Sequence, residues 1–271
     1  MDESNHEEAD ICVLVHILHA LKYSSLGMVY TGDTDVIVIL LTNFHVIKEM
    51  NPAANIWISF KAGKVTKMIY LNKLVTTLGT TACKAMALFL AFTGSDSTSS
   101  FKFKGKRSCC MLMHEVPSLL ETFGSIVDTP FQISPSLLEV ASNFVCKLYS
   151  NHSCQHDDVD HLRLMLFSQM TRDVERIPPT SDALNQHLKR SIFQASIWAS
   201  AYMSTMPSVN PTNYGWKEED GKLFPLWTTI PMGKIVFHLD VKCSCSGTCY
   251  HCKCVKANLK CTHLCQCKCL V

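Results

Sequence analysis

The sequence predicts an α/β fold that continues into a helical extension and ends in a small cysteine-rich module. Between residues 9 and 92, runs rich in β-branched residues alternate with apolar segments of helical length. Helical patterns then fill residues 116–205, and nine of the 15 cysteines fall within residues 243–269. The expected units are 1–110 (α/β), 111–205 (helical), 206–240 (a connector rich in Trp and Pro) and 241–271 (cysteine-rich).

The first elements of the α/β part are the easiest to assign. Residues 9–22 are apolar nearly all round, which predicts a buried helix. Residues 27–35 predict a strand that ends in two carboxylates. The next segment, 36–44, fits either a strand or a buried helix capped by Thr34 or Asp35, because its periodicity does not separate the two.

Turn residues mark the later elements. Two β-rich runs within residues 55–71 flank Lys-Ala-Gly-Lys and predict a hairpin. Residues 82–92 predict a strong helix that ends at Gly94. In the connector, Asp220 and Gly221 predict a turn between two short extended runs.

Composition and charge narrow the class of protein. Hydrophobic residues make up 47% and charged residues 18% of the chain, as in globular proteins, and the formal net charge is only +2. Bulk charge therefore selects no partner, and electrostatic binding depends on local patches. The N-terminus is acidic, and the longest apolar run, Val36–Leu41, is too short to cross a bilayer. We expect an intracellular protein without a membrane segment, whose cysteines are reduced or bound to metal.

The cysteine spacing of the tail favours a zinc cluster. Neighbouring cysteines in Cys-X-Cys are poorly placed to bond to each other, and nine is an odd number, so complete disulfide pairing within the tail is impossible. Zinc takes four thiolates in a tetrahedron, and nine cysteines satisfy three zinc ions if three thiolates bridge. A metallothionein-like store and a disulfide knot are the alternatives. The predicted ligands are Cys243, Cys245, Cys249, Cys252, Cys254, Cys261, Cys265, Cys267 and Cys269.

The order of these cysteines, C-x-C-x3-C-x2-C-x-C-V-K-x-x-x-K-C-x3-C-x-C-x-C, resembles the CXC domain of tesmin-type and male-specific-lethal-type chromatin proteins. It is also similar to the cysteine cluster that precedes methyltransferase SET domains. The resemblance implies a zinc-dependent module that binds DNA. Lys256 and Lys260 lie on the insertion between Cys254 and Cys261, where they are best placed to touch phosphates. The alternative is that these lysines only keep an anionic cluster soluble.

Carboxylates recur upstream at the ends of predicted elements. Oxygen-rich clusters of this kind suit Mg²⁺ or Mn²⁺, and two such ions can assist phosphodiester hydrolysis. Each carboxylate also has a simpler interpretation as a helix cap, a turn residue or a loop residue. The residues concerned are Glu7, Glu8 and Asp10 at the first helix, Asp33 and Asp35 after the first strand, and Asp96 after a helix.

The motifs EAD, TGDTDVIVIL and LAFTGSDSTSS resemble the second half of the PIN-like flap endonuclease/XPG nuclease domain. The chain also resembles mobile-element-like proteins of animal genomes through HEEAD, DTDV, FKGK, IPPT and PLWTT. The nuclease resemblance implies that Asp33, Asp35 and Asp96 are catalytic metal ligands, and that Glu8, with Glu7 or Asp10 as alternatives, completes the set. Only five residues precede His6, so we expect the half of the domain that carries further carboxylates to be absent, either because the chain is a fragment of a longer protein or because it is a decayed copy. We therefore expect a truncated nuclease-like domain without activity.

A basic segment, FKFKGKR, directly follows the last of these carboxylates. Its cationic side chains could hold a DNA backbone beside the acidic residues, with the phenylalanines packing or stacking. The alternative is an exposed charged loop whose aromatic side chains point inward. The candidate nucleic-acid contacts here are Lys102, Lys104, Lys106 and Arg107.

Together these features favour a nuclear, DNA-binding zinc-cluster protein of mobile-element origin that carries a truncated nuclease-like domain. DNA is the expected partner, with chromatin proteins or a second chain as further partners. The first alternative is a Mg²⁺- or Mn²⁺-dependent, structure-specific nuclease completed by carboxylates from elsewhere. The second is a zinc-stabilised protein-interaction scaffold without a role on nucleic acid.

Overall fold

The structure is a computed structural model, and it describes residues 8–116, 118–150, 158–169, 174–230, 243–244, 253–256, 261 and 265. The strands are β1 (Leu26–Thr31), β2 (Asn55–Ala62), β3 (Val65–Tyr70), β4 (Trp216–Glu219) and β5 (Lys222–Pro225). The helices are α1 (Ala9–Ala20), α2 (Thr34–Thr42), α3 (Phe44–Met50), α4 (Leu71–Leu78), α5 (Thr80–Thr93), α6 (Lys106–Leu112), α7 (Leu119–Gly124), α8 (Pro135–Tyr149), α9 (Val159–Gln169), α10 (Ser181–Ala199) and α11 (Lys253–Lys256).

The main sheet has the order β1-β2-β3. β1 runs parallel to β2, with Leu26 opposite Asn55, and the chain crosses between them through α2 and α3. β2 and β3 are antiparallel neighbours joined by a two-residue turn, which confirms the predicted hairpin. Ile56 and Ile58 of β2 are completely buried on the face that meets the helices. The mixed α/β character expected from the first 92 residues is therefore present.

The ambiguous segment after β1 is helical, and the predicted caps were wrong. Asp33 has an extended backbone and its Oδ1 accepts a 2.8 Å hydrogen bond from the Asp35 amide, so Asp33 is the N-cap of α2. Thr34 already belongs to the first turn, as does Asp35. The strand ends at Thr31, before either carboxylate. A short apolar run has no period to separate strand from helix, and here burial against α5 favours the helix.

Helix α5 is the centre of the core. Its side chains pack against α2, α7 and α10, and Phe92 makes edge-to-face contacts with Phe101, Phe123 and Phe144. A single cluster of buried side chains extends from Ile11 to Tyr214, so the helices after residue 111 share the core of the α/β part.

Gly94 ends α5 as predicted. Its φ of +118° is a conformation that other residues rarely adopt, and a Cβ at this position would lie 2.7 Å from the Cβ of Ser100. The chain can therefore fold straight back over the end of the helix. This sharp return sets the position of the loop that carries Asp96.

The connector packs onto α10 through two polar contacts. Nη1 of Arg190 donates to the carbonyls of Gly215 (2.9 Å) and Leu226 (2.7 Å), which lie on either side of the β4–β5 hairpin. The carboxylate of Asp182, in the first turn of α10, accepts from the hydroxyls of Thr228 and Thr229. Asp220 and Gly221 form the turn of that hairpin, as the sequence predicts.

No single helix within the described residues has the length and apolarity that crossing a membrane requires. Helices α4 and α5 reach that length only together, and they are bent by 97° where they meet at Gly79.

Candidate metal centre and acidic cluster

Four cysteines of the tail converge on one point. The Sγ atoms of Cys243, Cys254, Cys261 and Cys265 all lie within 4.8 Å of one another. The Cys243–Cys261 pair is separated by 3.9 Å and the Cys254–Cys265 pair by 3.6 Å. Both separations are far longer than the ~2.05 Å of a disulfide bond. The thiols are therefore grouped without being bonded to each other in these pairs.

The donor set fits zinc. A tetrahedral site with Zn–S bonds of ~2.3 Å has sulfur–sulfur separations of about 3.8 Å, and the two measured pairs lie on either side of that value. Cys254 is 1% exposed and Cys243 3% exposed, so two of the sulfurs are already withdrawn from water. Four buried or half-buried thiolates without a cation would repel each other. The arrangement therefore suits a structural metal ion.

These four residues belong to the nine predicted ligands. The other five, Cys245, Cys249, Cys252, Cys267 and Cys269, lie outside the described residues, and so does the arrangement of three ions. Lys256 is exposed at the end of α11, the short helix that also supplies Cys254. The second tail lysine, Lys260, lies outside the described part of the chain.

The predicted carboxylates are held by three separate elements. The cap of α2 positions Asp33 and Asp35, and Asp10 lies in the first turn of α1. Asp96 lies at the tip of the turn that follows α5.

Two hydrogen bonds fix the turn that carries Asp96. Oγ1 of Thr98 donates to the Ala91 carbonyl at 2.5 Å, which ties the turn to the end of α5. Oγ of Ser97 donates to Oε1 of Gln194 at 2.7 Å, which ties it to α10. Asp96 itself is exposed between these two anchors.

The carboxylates share one electrostatic environment. Partial burial, followed by the charges of Asp33, Asp96 and Asp10, raises the pKa of Asp35 to about 6, an effect that Lys106 partly opposes. Burial and the charges of Asp33 and Asp96 also raise the pKa of Asp10. The charges of Asp10, Asp33, Asp35 and Asp96 are thus coupled to one another.

The acidic cluster is looser than the cysteine cluster. Among the described residues, only the four cysteines bring three or more potential ligand atoms within 4.8 Å of one another. Glu8, the fourth predicted catalytic residue, is exposed directly before α1. Glu7 lies outside the described residues. The carboxylates thus form an acidic surface rather than a closed coordination sphere.

The basic segment divides into inward and outward side chains. Phe101 is buried against Phe92, whereas Phe103 is 62% exposed, so the expectation of two inward aromatic side chains holds for only the first. Lys102 forms an ion pair with Glu175. Nζ of Lys104 lies 5.0 Å from the centre of the Tyr149 ring.

Lys106 and Arg107 open α6 and are exposed. Lys106 is close enough to Asp35 to lower its pKa, so one cation borders the acidic cluster directly. A phosphate held by this lysine would lie beside the carboxylates, which is the spatial relation that the sequence interpretation requires.

Two residues of α10 that sequence interpretation passed over are buried polar groups. His187 is 7% and Arg190 3% exposed, and the signal was the row of polar residues at helical spacing that continues to Gln194. No family model, curated protein or solved structure matches the chain.

Proposed function

We propose that the protein is a zinc-stabilised DNA-binding protein whose tail makes the principal contact with DNA. The observation that carries the proposal is the convergence of four cysteine thiols within 4.8 Å. The CXC-like order of the nine cysteines supports the finer assignment, a cluster of three zinc ions in a nuclear protein acting on chromatin. The bound ions would hold the cysteine-bearing segments together, since so short a tail has little apolar core of its own.

Lysine placement supports DNA as the partner. Cys254 is buried while Lys256, two residues later on α11, is exposed, so the element held by the metal also presents a cation to solvent. Rigid presentation lowers the entropy lost when the lysine meets a phosphate. The net charge of +2 is too small for bulk attraction to replace such local contacts.

The test is a titration of labelled duplex DNA with the zinc-loaded full chain, followed by fluorescence anisotropy. Chelation of zinc should abolish binding, and added zinc should restore it. If binding persists after chelation, the tail is not the DNA-binding element. Zinc retention without any DNA binding would favour the protein-interaction scaffold instead.

The second candidate is a divalent-metal-dependent nuclease of the flap endonuclease/XPG type. It is favoured by the gathering of Asp10, Asp33, Asp35 and Asp96 beside Lys106. Mg²⁺ or Mn²⁺ bound at such carboxylates would supply Lewis-acid assistance for phosphodiester hydrolysis. The open arrangement of these carboxylates fits the proposal that the site needs ligands from a second chain or from further sequence.

Cleavage of labelled duplex, flap and single-stranded DNA separates the two candidates. The full chain is incubated with Mg²⁺ or Mn²⁺ beside the double variant Asp33→Asn/Asp35→Asn. Because Asn caps a helix about as well as Asp, the variant keeps α2 intact while it removes two charges. Cleavage that is lost in the variant establishes the nuclease; bound but intact DNA in both proteins leaves the DNA-binding function alone.

A further inference from the structure

A cavity of about 270 Å³ lies between α10, the loop after α5 and the part of the connector that carries Trp227. Its walls are apolar and aromatic, and it is separate from both the cysteine cluster and the acidic cluster. An ion pair between Lys102 and Glu175, more than half exposed, stands on its solvent side. The principal wall residues are Phe101, Tyr149, Ile177, His187, Arg190 and Trp227.

His187 is one of the wall residues, and one of its ring nitrogens has no hydrogen-bond partner within the described part of the chain. Its Nε2 lies 2.8 Å from the Phe92 carbonyl, and because a carbonyl only accepts, Nε2 carries the proton. Nδ1 is therefore an acceptor, and it is buried without a hydrogen-bond partner among the described residues. An acceptor that is buried without a partner destabilises the folded chain, and a ligand with a donor group would remove that cost.

Arg190 presents an unused charge in the same wall. It is 3% exposed, and within the described part of the chain no carboxylate lies at ion-pair distance from it. Both of its hydrogen bonds use Nη1, and its guanidinium lies 5.3 Å from the centre of the Trp227 ring. Buried charges are normally paired, so a guanidinium held in this way is suited to an anion from solution.

We propose that this cavity binds a small organic anion that places an oxyanion against Arg190 and donates an O–H hydrogen bond to Nδ1 of His187. Hydroxy acids and acidic phosphate groups have both features. The hydroxyls of Ser99 and Ser100 also line the cavity and can donate to the anion. The apolar and aromatic part of the lining lowers the local polarity, which strengthens both polar interactions.

The volume sets the size of the ligand. A cavity of about 270 Å³ is slightly below the usual range for drug-sized ligands, so a compact metabolite fits and a polymer does not. Lys102 adds a second positive charge on the solvent side. Its ammonium group can leave the ion pair with Glu175 and bind the incoming anion instead.

The test compares inorganic phosphate with sulfate as probes at pH 6.5, by isothermal titration calorimetry on the zinc-loaded full chain. The two anions have the same shape, but only phosphate carries an O–H donor at this pH. We expect phosphate to bind at least roughly tenfold more tightly than sulfate, the ratio expected when a buried acceptor is left unpaired. Equal binding of the two anions, or no saturable binding of phosphate, overturns the proposal.

Two variants and a control locate the binding. Ala183→Leu fills the cavity without altering any polar side chain, and it should abolish phosphate binding while the unfolding temperature is retained. Arg190→Lys should weaken binding at least roughly tenfold through loss of the planar guanidinium. Lys73→Ala, on the exposed side of α4, removes a charge elsewhere and should leave affinity within about twofold. If phosphate binds Ala183→Leu as it binds the parent protein, the anion occupies another place and the proposal fails.

Discussion

Sγ of Cys254 and Sγ of Cys265 lie 3.6 Å apart, although eleven positions separate the two residues in the chain. A metal ion shared by both sulfurs explains a separation that is too long for a disulfide and too close for two uncompensated thiolates. Cys254 is almost completely buried in this group. The cluster therefore gives a direct prediction about metal content.

Cys254→Ser should lower the zinc content of the purified chain by at least one ion, because a hydroxyl is a much poorer zinc ligand than a thiolate. Inductively coupled plasma mass spectrometry measures the stoichiometry. The matched control is Cys110→Ser, at an exposed cysteine of α6 outside the tail. Equal zinc content in both variants would contradict a zinc site at Cys254.

Protonation of His187 should destabilise the fold at mildly acidic pH. Burial and, more weakly, the charge of Arg190 lower its pKa to about 4, against a hydrogen bond to Phe92 that favours the charged form. The native state therefore binds fewer protons than the unfolded state between about pH 4 and 6.5. Stability is full above that window and declines as the pH falls through it.

Across this pH window the free energy of unfolding should fall by on the order of 3 kcal/mol, since one unit of pKa shift corresponds to about 1.4 kcal/mol. Urea unfolding at a series of pH values measures it. His187→Phe removes the titrating group, so its stability should vary less across the window than that of the parent protein. A parent and a variant with the same pH dependence would show that His187 does not titrate in this way.

Asp35→Asn should stabilise the chain at pH 7. The pKa of Asp35 is raised to about 6 in the folded chain, so the folded state holds this proton more tightly than the unfolded state does. The stability that protonated Asp35 contributes is therefore lost as the pH rises through 6. Asn mimics the neutral carboxyl at every pH. Because the side chain is partly exposed, water weakens the effect, and we expect Asp35→Asn to raise the free energy of unfolding by about 1 kcal/mol at pH 7 and hardly at all at pH 3.5. Urea midpoints at both pH values measure the gain; destabilisation at pH 7 would contradict the shared acidic environment.

Asp182→Asn should loosen the connector. Hydrogen bonds from Thr228 and then Thr229 lower the pKa of Asp182 to about 2, and the stability they add is present above the usual Asp range and lost as the pH falls through 2. Replacing the charged acceptor should cost about 1 kcal/mol at pH 7, measured by urea unfolding. The control is Asp220→Asn, at a turn position with φ +52° that Asn tolerates equally well. If both substitutions change the free energy of unfolding equally, the hydrogen bonds from Thr228 and Thr229 to Asp182 do not contribute to stability.

Some elements could be predicted from short stretches of sequence, without knowledge of what they pack against. Helix α5, its end at Gly94 and the hairpin of β2 and β3 follow from apolar period and turn residues. The state of residues 36–44 did not follow, because a continuous apolar run is compatible with both structures until its packing partner is known. That partner is α5, which begins 38 residues after the end of α2.

The candidate sites also differ in how far the sequence could predict them. Cysteine spacing identified the metal cluster because nearby ligands must close on a small ion, and the carboxylates of α2 and the Asp96 turn were recognised as motifs. The row of polar residues at helical spacing indicates a polar face on α10, but the cavity beside His187 and Arg190 could not be predicted, because it forms where α10, the loop after α5 and the connector meet. Neither residue has a sequence neighbour that indicates an unpaired acceptor or an unpaired charge.

The most direct test of the central claim is the affinity of the zinc-loaded full chain for duplex DNA when two lysines of its tail are replaced. Lys256→Ala/Lys260→Ala is compared with Lys73→Ala by fluorescence anisotropy over a range of salt concentrations, with zinc content measured in each protein. We predict that the tail variant loses affinity at least roughly tenfold, with a salt dependence lower by about two phosphate contacts and unchanged zinc, while the control binds normally. Unchanged DNA affinity in the tail variant, with zinc retained, would contradict a DNA-binding role for the tail.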